Sequence, residues 1–166
     1  MDPEDIEKAI RRLASRQLLI GIPADHDARP GDPIGNASLG YIHETGSPAR
    51  NIPARPHLVP GVEQALPAIT KRLEEAARAA LEGNIAGVDQ GFGRAGVEAV
   101  NSVRAVIQAG IPPPLAPATV AARRRRTPGS SYRRQATTAA DVTPLIDSGD
   151  YIKNLTYVVR DRSRQG

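Results

Sequence analysis

The sequence of 166 residues predicts an α+β fold: a small mixed β-sheet packed against two long helices, with extended loops or arms. Three observations carry that expectation. Apolar residues recur at three- and four-residue spacing through residues 61–83 and again through 95–109. Two short apolar runs, at about 17–22 and 154–160, have the character of strands. Prolines, glycines and other turn formers crowd the stretches between these segments. The length suits a single domain over 1–166 that buries a core of its own.

The elements follow in order. Over residues 4–16, Ile6, Ile10 and Leu13 recur at helical spacing among charged neighbours. Pro3 suits a first helical position, with Asp2 as N-cap. Residues 17–22 are an apolar strand ended by Pro23. Three prolines, two glycines and several Asp and Asn residues make 23–37 a surface loop. Residues 38–44 hold one or two helical turns, with Leu39 and Ile42 inward and Gly46 as the stop. Pro48, Pro53, Pro56 and Pro60 then stiffen 47–60 into a ledge that loses little entropy on binding.

The longest helix spans about 61–83. Its stripe is Val62, Leu66, Ile69, Leu73, Ala76 and Ala80. Pro67 predicts a kink, or a true start near Leu66. Gly83-Asn84 is the stop. A Gly-rich link over 87–96 leads to the second helix, 95–109, with Val97, Val100, Val103 and Ile107 on one face. Gly110 and Pro112-Pro113-Pro114 end it. A short helix follows over 117–126. Residues 123–142 are an Arg-rich segment expected to be flexible, or ordered only by a partner. A short helix near 147–153 precedes a strand near 154–160, where Leu155, Tyr157 and Val159 alternate.

Composition narrows the function classes. The only aromatic residues are Phe92 and four tyrosines, so the core is aliphatic. There is no cysteine, which excludes disulfides and thiolate metal sites and fits a reducing compartment. No apolar run approaches the roughly 18 residues of a membrane helix. The opening Met-Asp-Pro-Glu-Asp is acidic and lacks the plan of a signal peptide. The net charge of +4 is unevenly placed. Residues 1–110 carry 12 Lys and Arg against 14 Asp and Glu, whereas 111–166 carry 10 against 4. That basic third suits a polyanion or an acidic protein face, or is a solvated loop.

Two phrases stand out. The first runs Tyr41-Ile-His-Glu-Thr-Gly-Ser-Pro-Ala-Arg-Asn-Ile-Pro-Ala-Arg-Pro-His57-Leu58. The second runs Thr143-Pro-Leu-Ile-Asp-Ser-Gly149-Asp-Tyr-Ile-Lys-Asn-Leu-Thr-Tyr157-Val-Val. Neither unites an acid, a base and a nucleophile. Both lead stiff loops into regular structure.

On these phrases the sequence resembles the virion morphogenesis proteins of Mu-like phages and the related neck and tail-completion proteins of long-tailed phages. The matching residues are His43, Glu44, Gly46, Ile52, Pro53, Ala54, Arg55, Pro56 and Leu58. Further on they are Leu115, Thr119, Pro144, Leu145, Ile146, Asp147, Gly149, Tyr157 and Val159. The departures are Thr45 for an aromatic, His57 for Phe, Ser148 for Thr, Tyr151 for Leu and Asn154 for Ser. The resemblance implies a structural virion protein of the head–tail junction, made in the host cytoplasm, with no cofactor and no turnover. It implies a homo-oligomeric ring of roughly six or twelve copies. Its partners would be the portal or head–tail connector, the tail terminator or tail tube protein, and genomic DNA passing through the lumen. The expected assembly residues are Ile52, Pro53, Arg55, Pro56, Leu58, Leu145, Ile146, Asp147, Gly149 and Tyr157.

Plainer and rival readings stand beside this one. His26, His43 and His57 with Glu44 lack metal-ligand spacing. Arg50 and Arg55 suit a phosphate, a carboxylate or free backbone carbonyls. In Asp147-Ser148-Gly149, Asp147 or Ser148 serves as a helix cap. Gly91-Phe92-Gly93 lacks the strand and third glycine of a dinucleotide site. A G-x-S-x-G element is absent, and Glu44 with Asp147 is the one carboxylate pair worth testing for a lytic hydrolase. Arg123, Arg124, Arg125, Arg126, Arg133 and Arg134 either face DNA, or lie on an arm that pairs with a neighbour's acids such as Glu74 and Glu75. A sequence-independent DNA-binding protein is therefore the alternative function.

Overall fold

The computed structural model describes residues 2–29, 31–125, 143–146 and 149–162. Helix α1 spans Pro3–Ser15 and runs straight into strand β1, Arg16–Gly21. Asp2 caps α1 by accepting the N–H of Glu4 at 3.0 Å, and Pro3 occupies the first turn. A 3-10 turn at Ala24–His26 interrupts the following loop, and α2 spans Asn36–Thr45. Asp27 reaches across this loop to accept the N–H of Ala37 in the first turn of α2.

Helices α3 (Leu58–Leu81) and α4 (Ile85–Ala109) form a tight antiparallel hairpin. The turn is a Schellman motif. Asn84 N–H bonds the carbonyl of Ala79 at 2.8 Å and Gly83 N–H that of Ala80 at 3.0 Å, with Gly83 at φ +71°. Asn84 then caps α4, its side chain accepting the N–H of Gly87. Helix α5 spans Pro117–Arg125, α6 spans Asp150–Asn154, and β2 spans Thr156–Asp161.

The α+β class holds, with two long helices packed beneath a small sheet. The sheet is simpler than expected. Among the described residues it is one antiparallel pair, β1 with β2, and not a mixed sheet. Leu18 pairs with Val159 and Ile20 with Tyr157, and these four side chains face the helices. Gln17, Leu19, Thr156, Val158 and Arg160 occupy the opposite face.

Two further expectations are corrected. The Gly-rich stretch 87–96 is helical, not a link. A Cβ on Gly91 would lie 2.5 Å from that of Ala76, and one on Gly87 2.7 Å from that of Ala79. The glycines are there because the hairpin's two backbones approach so closely. Secondly, α3 begins at Leu58 rather than near 61 and runs through Pro67, whose side is exposed. The N-cap position of α6 is Gly149 at φ +84°, next to Asp147 and Ser148, the caps the sequence offers. Those two residues lie outside the described set, as do 126–142 of the segment expected to be flexible.

The core runs along the hairpin. At one end α1 covers Ala76, Ala80, Val88 and Phe92. Arg12 and Arg16 fasten α1 and β1 to Asp89 on α4, at 2.7 and 3.0 Å. At the other end Val103, Ile107, Ile111, Leu145, Tyr151, Ile152 and Leu155 form a second cluster. Ile107, Leu155, Val88 and Val103 are fully buried, each contributing about 1.5–3 kcal/mol. Among the described residues no helix is long and apolar enough to cross a membrane.

Candidate functional site: a buried latch between the two phrases

The two phrases meet in the second cluster. Helix α3 starts at His57, whose side chain gives it no cap. Glu44, in the last turn of α2, supplies the cap from another element. Its carboxylate accepts the N–H groups of His57 at 2.8 Å, Leu58 at 3.0 Å and Val59 at 3.1 Å. Burial works to raise the Glu44 pKa, but these three donors outweigh it and hold the carboxyl below its ordinary value.

His57 is completely buried. Its Nδ1 lies 2.9 Å from the Arg55 carbonyl and 3.1 Å from Glu44 Oε2, and its Nε2 lies 2.5 Å from the Tyr151 hydroxyl. A carbonyl only accepts, so Nδ1 donates there, and in the neutral ring Nε2 accepts the proton of Tyr151. The rings meet edge to face at 5.4 Å and 76°. Tyr151, on α6, is buried against Gly40, where a Cβ would stand 2.7 Å from its hydroxyl oxygen. Burial, and then the charge of Glu44, push the Tyr151 hydroxyl pKa upward. His43 also meets Tyr151 edge-on, at 6.3 Å. Its buried Nδ1 has no partner among the described residues. Burial first, then the neighbouring His57, Arg55, Arg29 and Arg123, push the His43 pKa down to about 4.

Arginines tie this latch to the rest of the chain. Arg55 is buried and donates to the carbonyls of Pro113 at 2.9 Å and Pro114 at 3.1 Å. Of the three roles open to it in the sequence, it takes that of binding backbone carbonyls. Arg123, on α5, donates to Ile146 at 2.8 Å and Thr143 at 3.3 Å. Arg104 holds the carbonyl of Leu155 at 2.8 Å.

The expected assembly residues divide by placement. Arg55, Leu145 and Gly149 are buried. Leu58 and Ile146 are half-buried against the second cluster, and Ile52 bridges to Ser47. Tyr157 is half-buried over Gly93 and Gly96 of α4. Pro53 and Pro56 are exposed. Asp147 is outside the described residues, so its separation from Glu44 is not part of the site. Arg124 and Arg125 end α5, while Arg126, Arg133 and Arg134 lie outside the described residues. Glu75, one of the acids expected to meet an arm, pairs with Arg72 at 3.2 Å and Arg94 at 3.7 Å.

The sequence reading missed Glu44 as a cap and the His57–Tyr151 bond. The one signal available was that both of these residues depart from the apolar types of the resembling family, in matching polar fashion. Tyr151–His57–Glu44 has the connectivity of a hydroxyl–imidazole–carboxylate relay. Its hydroxyl is buried and its pKa is raised, the opposite of what a nucleophile requires. An open groove of about 530 Å³ lies elsewhere, lined by Arg72, Gln90, Gly93, Arg94, Val97, Glu98 and Tyr157. Arg72 pairs with Glu98 there at 3.1 Å. Among the described residues no three His, Asp or Glu side chains gather as metal ligands would. Comparison with protein-family models, with curated proteins and with solved structures found no significant match.

Proposed function

We propose that this chain is a structural virion protein of the phage head–tail junction, a neck or tail-completion subunit. It forms a homo-oligomeric ring of roughly six or twelve copies, closed by a repeated heterologous contact. The ring joins the portal or connector to the tail terminator or tail tube, and lets DNA pass without reading its sequence. It breaks no bond and needs no cofactor. It is made in the host cytoplasm and resides in the virion.

One observation carries this reading. Glu44, Arg55, His57 and Tyr151 spend their hydrogen bonds on the chain's own backbone and on one another, against the core. A catalyst would hold such groups open toward a cleft. Here they fix the shape of a stiff ledge whose Pro53 and Pro56 face outward. A preformed surface of this kind suits assembly, because little entropy is lost when it is gripped. The phage resemblance of the same two phrases supplies the assembly's identity.

The alternative, a DNA-binding protein working alone, has less to draw on. Arg123 already binds two carbonyls, so the basic run offers fewer guanidinium groups to phosphate. The test is the mass of the full chain by light scattering, alone and mixed with its portal protein. A ring-sized mass, free or on the portal, is expected. A chain that stays monomeric with the portal, yet binds duplex DNA with affinity falling steeply between about 50 and 200 mM salt, overturns the proposal in favour of the alternative.

A further inference from the structure

We infer that the outer edges of β1 and β2 form the subunit contact: β1 of one copy pairs antiparallel with β2 of a second copy of this chain. The inference rests on the ring reading and names its interface.

Among the described residues the sheet has two strands, so each strand keeps one edge outside the pair. The N–H of Arg16 bonds the Leu13 carbonyl at the end of α1, and among the described residues no backbone group outside the pair bonds to Gln17–Gly21 or Thr156–Arg160. A row of free N–H and C=O groups is a template for another strand, and proteins that must stay apart blunt it. The usual means are a proline, a lysine, a bulge, or a charge in the middle of the strand. None of these is present here. The register runs unbroken from Arg16 opposite Asp161 to Gly21 opposite Thr156. The middle of β1 is Leu18-Leu19-Ile20 and the middle of β2 is Tyr157-Val158-Val159. Both strands are six residues long.

A second copy is the occupant these edges fit. The two edges match in length, and the sense that pairs them within a chain pairs them equally well between chains. In that register Arg16 of one copy again stands opposite Asp161 of the next, and Gln17 opposite Arg160. Arg16 keeps Asp89 of its own chain, and like charges are opposed nowhere. Leu19 and Val158 continue as a half-exposed apolar strip across the outer face, which the next copy would extend. The two edges are different surfaces. A contact between them is heterologous and repeats from copy to copy, whereas β1–β1 or β2–β2 pairing would stop at a dimer.

The chain has no cysteine, which makes the test clean. Full-length Gln17→Cys and Arg160→Cys proteins are mixed in equal amounts and treated with a short bis-maleimide linker. Both positions lie on the outer face of the sheet, half-exposed and exposed, so folding tolerates the changes. Each chain then has a single thiol, and every cross-link is intermolecular. The expected products are joined between position 17 and position 160. Links of 17 to 17, or of 160 to 160, in equal or greater amount overturn the inference. A ring-sized mass with no cross-link at all also overturns it, and leaves the ring itself standing. A monomeric mass even with the portal protein present removes both the interface and the ring.

Discussion

The bond between His57 and Tyr151 spans 94 residues of sequence and is the single polar link between the rings of the two phrases. Tyr151→Phe keeps the ring and deletes the hydroxyl. Nε2 of the fully buried His57 then has nowhere to turn. A buried acceptor left unsatisfied costs about 1–3 kcal/mol. His57→Phe orphans the Tyr151 hydroxyl at a similar cost, and also strips the Arg55 carbonyl of its donor at 2.9 Å. With both changes made, the orphaned nitrogen and hydroxyl are both gone, only the Arg55 carbonyl still lacks its donor, and two apolar rings meet edge to face. The coupling energy of this cycle is expected to be about 1–3 kcal/mol, the double variant being less destabilised than the sum of the singles. At about 2 kcal/mol, a single variant lowers Tm by roughly 4–8 °C. The chain has no tryptophan, so the assay is urea unfolding followed by circular dichroism of its helices. Additivity within about 0.5 kcal/mol would refute the claim that these two side chains act as a pair.

Three other outcomes follow from the same geometry. His43, pushed down to about 4, is neutral in the fold but charges near its ordinary 6.5 once unfolded, so stability falls as pH drops from about 6.5 to about 4. The loss is about 2 kcal/mol after discounting for partial exposure. Glu44 and Asp89 are held below their ordinary values and lose their contribution only lower on the scale, so His43→Gln should flatten the upper acid limb alone. An unchanged limb in that variant counts against the assignment. Glu44→Ala removes the acceptor of three N–H groups at the start of α3, and a loss of about 2–3 kcal/mol is expected in urea unfolding; a loss under about 0.5 kcal/mol would show that water caps the helix equally well. Gly91→Ala places a methyl 2.5 Å from the Ala76 Cβ and 2.9 Å from the Arg72 carbonyl, and should destabilise by about 1–3 kcal/mol despite its better helix propensity; a gain in Tm would mean that the hairpin spreads freely.

Elements whose causes are local were legible in the sequence. The cap of α1 by Asp2, the Gly83-Asn84 stop, the alternation of Tyr157 and Val159, and α5 all depend on neighbours a few residues away. The errors share the opposite property. Gly87 and Gly91 weaken a helix on local grounds, and what makes them fit is Ala79 and Ala76 on another helix. Pro56 and Pro60 suggest a late start for α3, because the cap that permits an early one arrives from Glu44 on α2. His57 reads as a lost apolar anchor until Tyr151 is brought against it.

His57 and Tyr151, the polar pair that meets in the core, set what the latch can tolerate. An apolar pair at this place would hold by area alone and would accept many shapes of similar volume. A polar pair holds only while donor and acceptor face each other, and a slip of an ångström leaves two buried groups unsatisfied. Glu44, Arg55 and Arg123 add the same kind of constraint, each binding backbone carbonyls or N–H groups at fixed distances. The ledge therefore has one geometry, set by directional bonds on its inner side, while Pro53 and Pro56 present that geometry to the outside. Residues that look like contacts in the sequence, Arg55 and Leu145 above all, act from within as the scaffold. Under the ring reading, recognition then falls to the ledge's outer prolines and to the bare strand edges, and a change that weakens the latch weakens assembly only by way of the fold.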